Sequence, residues 1–187
     1  SSSAGPAGAS LLHRSITAAG WLLGAALIFR AARKTARGSD DLFTGALRRN
    51  APLRALGVVA AVALAIGIRA FVLQEWKLVG EYAQLVDLHG TATPFAFALL
   101  IVYYLCEAAI IVLVLALGQR AGEMRFGRPA LPWGGLALAI TWGAIHILLQ
   151  GPDAGLYAMA AAVLYGCAFA WGPRRPLPTF LIVAGAF

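Results

Sequence analysis

Two ionisable residues, Glu107 and His146, stand well inside long apolar runs, TPFAFALLIVYYLCEAAIIVLVLALG and LPWGGLALAITWGAIHILLQG. A carboxylate beside an imidazole can take, hold and return a proton, which is the equipment of general acid and base chemistry. If those runs cross a membrane, neither group is cheap to keep. An ionisable side chain at mid-depth costs roughly 2.5 to 3.5 kcal/mol on insertion, so its presence marks a site by default. Tyr103, Tyr104 and Glu107 share one helical face, and Trp142, His146 and Gln150 recur at four-residue spacing on another. Arg69, on a third apolar run, is expected near the depth of His146. The competing reading is structural: His146 hydrogen-bonds Glu107 or a carbonyl and ties two helices together for about 1 kcal/mol.

The elements that must position these residues follow from composition. The chain is 60% hydrophobic and 12% charged, about half the charged content of an ordinary soluble domain. That excludes a soluble enzyme and predicts an all-α, polytopic transmembrane helical bundle of about six helices. The runs are too long and continuous for barrel strands, which alternate over about 10 residues. Spans are expected at about 11–29, 55–73, 94–118, 131–150, 154–171 and 176–187, in a single transmembrane domain 11–187 behind a flexible leader 1–10. The last run is still apolar at Phe187 and is expected to be truncated. The first is read as a retained anchor rather than a cleaved signal peptide, because the basic stretch FRAARKTAR follows its apolar core. Between the second and third spans, Trp76, Val79, Tyr82, Ala83 and Val86 fall at helical spacing, which suits either a short interfacial helix or a capped loop.

Charge placement orients the bundle. Arg30, Arg33, Lys34, Arg37, Arg48, Arg49 and Arg54 crowd the first loop, Arg120, Arg125 and Arg128 the third, and Arg174 and Arg175 the fifth. The alternate loops carry Glu75, Glu81, Asp87 and Asp153. Basic loops stay cytoplasmic, so an integral membrane protein with its N-terminus outside is expected. The net charge of +7 then reflects topology and contact with anionic membrane lipids, not nucleic acid. Trp76 at the outer boundary, with Trp133 and Trp171 at the inner one, fits aromatic belts. At 1.5 Å per residue, Glu107 and His146 come out roughly 16 and 22 Å from the inner ends of their helices, a gap side chains and tilt can bridge.

Other signals are weaker. Cys106 and Cys167 differ by roughly 12 Å in expected depth, so no disulfide is expected. Gly20 and Gly24 form a G-x-x-x-G, while Gly151 and Gly155 repeat the spacing in what reads as a loop. One His with one Glu is a poor metal set, and no phosphate loop, dinucleotide fingerprint or nucleophilic Ser motif is present. No metal and no cofactor are expected.

The stretches YYLCEAAII, TWGAIHILLQG, GLYAMAAAVLYGCAFAW and LPTFLIVAG resemble the membrane half of the CAAX protease and bacteriocin-processing (CPBP, Abi) family of glutamic-type intramembrane proteases, over roughly residues 100–187. That family has a Glu pair followed by Arg on one helix, an aromatic-x-x-x-His on the next, and a later His or Asn. Trp142 to His146 matches the second motif. Glu107 matches one Glu of the first, but Cys106 precedes it, Ala108 follows it, neither Ile111 nor Val112 supplies the Arg, and PTFLIVAGAF holds no His or Asn. The resemblance implies a divergent intramembrane peptidase in which Glu107 activates water and His146 orients the water or stabilises the oxyanion. Tyr103, Tyr104, Trp142, Gln150 and Arg69 would surround the site, with Arg69 replacing the missing Arg, and a hydrophobic or prenylated peptide would be the substrate. The alternative is a non-catalytic membrane protein that binds a hydrophobic peptide, a lipid or a small ligand, such as the substrate-capture subunit of a transporter.

Overall fold

A computed structural model describes residues 5–35, 43, 51–72 and 77–185. Nearly all of these are helical, and no strand occurs among them. In chain order come α1 (Pro6–Thr35), α2 (Ala51–Gly67) running into a π-helical turn (Ile68–Val72), and α3 (Lys77–His89). A 3-10 turn (Gly90–Ala92) leads into α4 (Thr93–Phe126). Next are α5 (Trp133–Leu138), a second π-helical turn (Ala139–Gly143), α6 (Ala144–Gln150), α7 (Pro152–Trp171) and α8 (Pro176–Gly185). Pro stands at or next to the first residue of α1, α4, α7 and α8, where its missing N–H costs nothing. Gly127 closes α4 at φ 64°, a left-handed cap that side chains with a Cβ resist.

The protein is an all-α membrane bundle. Four helical stretches among the described residues are long and apolar enough to cross a bilayer: Ala7–Ala31, Leu78–Phe126, Trp133–Gln150 and Pro152–Trp171. Pro52–Gly67 and Pro176–Gly185 are shorter apolar helices. Their outward faces stay apolar, with Leu23, Leu64, Phe95, Ile140, Leu148, Leu156 and Leu181 exposed. Lipid is as apolar as leucine, so burial cannot hold such helices together and close packing must. Gly135 and Gly166 supply it: a Cβ added to Gly166 would lie 2.4 Å from the Gly135 Cα, and one added to Gly134 would lie 2.1 Å from the Leu115 carbonyl oxygen.

The centre is α4. Ala108, Ile111, Val112, Leu115 and Ala116 pack with Ala65 of α2, Leu138 of α5, Ala161, Ala162, Tyr165 and Phe169 of α7, and Val183 of α8. Gly118 meets Ala137 and Gly122 meets Trp133, so α4 and α5 run antiparallel. Helix α1 lies against α4 in the same direction, since Leu11 packs near Leu100 and Tyr104 while Gly24 faces Ile110.

Several expectations are revised here. Helix α1 begins at Pro6, inside the stretch read as a leader, and its first turns are the Ala- and Ser-containing PAGAS. The segment before α4 is a helix, but it does not simply lie flat: Leu85 of α3 packs with Ala96, Leu100 and Tyr104, so α3 folds back along α4. Among the described residues Gly20 meets nothing within 4 Å while Gly24 meets Ile110, so the G-x-x-x-G of α1 packs there through Gly24 alone. Gly155 is helical and backs onto the Ile147 main chain, whereas Gly151, at φ 95°, makes the turn. Trp76 lies outside the described residues.

Candidate active site

Four helical segments bring polar side chains to one layer. On α4, Glu107 is 3% exposed and Tyr104 6%; the two are three residues apart, hence neighbours on one face. The ring of Tyr103 sits edge-on to that of Tyr104 at 5.3 Å. Because α3 folds back, it carries Glu81 down to Tyr104, whose hydroxyl donates to Glu81 Oε1. Arg14 of α1 completes the group, its Nη1 lying 3.2 Å from the other carboxylate oxygen, Oε2. Glu107 and Glu81 both lie within Coulombic reach of Tyr103 and Tyr104. Two carboxylates therefore face one pair of phenols.

The histidine side is built by α1, the second π-helical turn and α6. Seven residues beyond Arg14, hence on the same face of α1, Trp21 lies beside Tyr103 and packs on Trp142 with ring centroids 5.0 Å apart. Trp142 in turn lies 5.4 Å from the ring of His146. The path from the phenols to the imidazole is therefore aromatic. His146 Nδ1 is 2.9 Å from the Trp142 carbonyl oxygen. A carbonyl only accepts, so Nδ1 carries the hydrogen and, in the neutral ring, Nε2 carries the lone pair. The antiparallel register of Gly118 with Ala137 and Gly122 with Trp133 pairs α4 with α5; beyond it the π-helical turn and α6 pack on α7, and Trp21 and Trp142 span the way from Tyr103 to His146.

Trp142 lies in a π-helical turn, and so does Arg69. Such turns are rare and gather at functional positions. The side chain of Arg69 falls outside the described residues. Gln150, expected on the face of His146, is exposed at the last residue of α6 and is not brought into the layer. Trp142 and His146 are half-buried. Among the described residues no group of three or more His, Cys, Asp or Glu side chains gathers as a metal set. The groups available for chemistry in this layer are two carboxylates, two phenols, a guanidinium and an imidazole.

A second polar cluster closes the opposite end of the bundle. Arg174, only 2% exposed, pairs with Glu123 Oε1 at 2.7 Å and donates to the carbonyls of Pro129 and Ala170. Gln119 Nε2 donates to Glu123 and Leu131, and its Oε1 accepts from the Gly134 amide. Trp133 and Trp171 donate to the Arg128 and Ala130 carbonyls. Five side chains thus hold one short loop, and the cluster acts as a clasp between α4, α5 and α7.

Arg14, Trp21 and Glu81 were not anticipated as parts of the site. A signal existed for the first two, which share a stripe with Ala18, a buried residue of α1. Glu81 carried only the mark of a charge in an acidic loop, and its position depends on α3 turning back at Gly90, which has φ 50°. Comparison of the chain with known protein families, with characterised proteins and with solved structures finds no match in any of the three.

Proposed function

We propose that the protein is a membrane-embedded peptidase of the glutamic type, with Glu107 as general base and His146 as the group that orients water. The observation that carries this reading is a buried carboxylate on α4, reached through Tyr103, Trp21 and Trp142 from an imidazole whose tautomer its own helix fixes. With Nδ1–H held by the Trp142 carbonyl, Nε2 accepts a hydrogen from water rather than donating to an oxyanion. Glu107 takes the other water proton while the new C–O bond forms at the scissile carbonyl. The same carboxyl then returns the proton to the departing amine nitrogen as the C–N bond breaks. Tyr103 is the phenol placed to donate to the developing oxyanion, since the Tyr104 hydroxyl is directed to Glu81. The resemblance of residues 103–111 and 141–151 to the CAAX protease and bacteriocin-processing family supports a hydrophobic or prenylated peptide as substrate.

The basic residues Arg120, Arg125, Arg128 and Arg175 gathered at the clasp end support a topology with that end in the cytoplasm and the N-terminus outside. In a cysteine-free background, single cysteines at Thr91 and Arg128 should label from the outer and inner sides respectively. The reverse pattern would invert the topology.

A second reading is a non-catalytic protein that captures a hydrophobic peptide, lipid or small ligand. The packing of Trp21 on Trp142 favours it, because aromatic faces hold an apolar ligand without turnover. Purified protein in liposomes, offered prenylated and leader-type peptides, separates the two. Cleavage should fall by roughly a hundredfold or more in Glu107→Gln and His146→Ala and persist in Gln150→Ala. No cleavage by the parent, with ligand retention altered by the same two substitutions, would replace the peptidase reading by the binding one.

A further inference from the structure

The hydrogen bond from Tyr104 to Glu81 joins a deeply buried part of the site to a carboxylate whose side chain is 22% exposed and is held by Arg14. Along α4, Glu107 follows Tyr104 by three residues and Tyr104 reaches across to α3, so carboxylate, phenol and carboxylate succeed one another from the interior of α4 to the partly exposed flank of α3. A group that takes protons inside apolar surroundings needs a path for them, because no bulk water reaches it directly. Chains of Asp, Glu and His inside membrane proteins mark such relays.

From this arrangement we infer that Glu81 and Tyr104 form the proton route between Glu107 and the aqueous face at the α3 end, with Arg14 as the positioning residue for Glu81. This rests on Glu107 being the group that gains and loses a proton, as proposed above. On an outward transfer, protonated Glu107 gives its proton to the Tyr104 oxygen while Tyr104 gives its own to the Glu81 carboxylate. One O–H bond forms and one breaks at the phenol, which stays neutral. Glu81 then releases the proton to water at its exposed edge, Arg14 compensates the restored charge, and the phenol hydrogen rotates back. No oxidant or co-reactant is required.

Infrared spectroscopy of the full chain in liposomes tests this apart from catalysis. The carbonyl band of protonated Glu107, identified by its loss in Glu107→Gln, should exchange quickly when the medium is changed to D2O. In Tyr104→Phe and Glu81→Gln the exchange should slow by roughly a hundredfold, on the scale of removing a positioned proton-transfer group. Glu81→Asp should restore part of it. A merely structural role would shift thermal stability and leave the exchange rate alone. Exchange at the parent rate in folded Tyr104→Phe overturns the relay, and so does the absence of any protonated Glu107 band across the accessible pH range. Slowed exchange without peptide cleavage in the parent would keep the relay and remove the peptidase. Cleavage with unchanged exchange would do the opposite.

Discussion

Replacing Arg174 by Met should destabilise the bundle out of proportion to one residue near a loop. Arg174 is 2% exposed and its partner Glu123 16% in the side chain, so removal of the guanidinium leaves a carboxylate in a largely desolvated place. Breaking a buried pair in this way costs about 3 to 5 kcal/mol, and the partial exposure of Glu123 puts the expectation near the lower end. The Pro129 carbonyl also loses its 2.8 Å donor, worth about 1 kcal/mol. The loss is therefore expected at about 3 to 4 kcal/mol, and the left-handed φ of 50° at Arg174 leaves it unchanged, since methionine bears the same Cβ strain. Glu123→Leu alone should be costly for the mirror-image reason. The double variant, in which no charge is stranded, should cost less than the two single losses together by about 2 kcal/mol or more. Equilibrium unfolding in mixed micelles, followed by tryptophan fluorescence, reads this directly, since Trp133 and Trp171 both bond to the loop that the clasp holds. A single variant within about 1 kcal/mol of the parent, or strictly additive losses, would refute the idea that the pair is buried and coupled.

Gly135→Ala should destabilise by the mechanism that holds the helices together rather than by propensity. The new Cβ would sit 2.7 Å from the Ala162 carbonyl oxygen and 2.8 Å from the Gly166 Cα, so α5 and α7 must separate at a cost of about 1 to 3 kcal/mol. Gly80→Ala, where nothing among the described residues lies within 4 Å, should instead be neutral or stabilising in the same unfolding measurement.

Much of this fold was legible in the sequence because hydropathy is a property of single runs. The stretches 94–118 and 154–171 fall inside α4 and α7, and 131–150 overruns the α5 to α6 segment by two residues at its start; length alone decides them. What depends on pairing between distant runs was not legible. Arg174 read as one of two basic residues in the fifth loop and Glu123 drew no notice in the sequence, yet they meet at 2.7 Å. Glu81 read as one of several acidic residues outside the bundle, and only the return of α3 along α4 carries it to Tyr104. Spacing placed Trp142 and His146 together correctly, as their ring contact shows. The same spacing failed at Gln150, because a shared helical face says nothing about where the neighbouring helix stops covering it.

The π-helical turn at Ala139–Gly143 also settles a question of phase. Gly135 and Gly143 both back onto α7, the first against Gly166 and the second against Met159, although they are eight positions apart. On an uninterrupted α-helix, at about 100° per residue, such a pair would point about 80° away from one another. The wider turn absorbs one residue, so the pair behaves as if seven apart and is misaligned by only about 20°. The helix that bears His146 is thus one residue longer by count than by angle, and the surplus sits one turn before the imidazole. Loss of a single residue inside the turn would leave both ends of the helix in register with α7. Loss of one just beyond it would swing His146 around the axis relative to Trp142 and to α7.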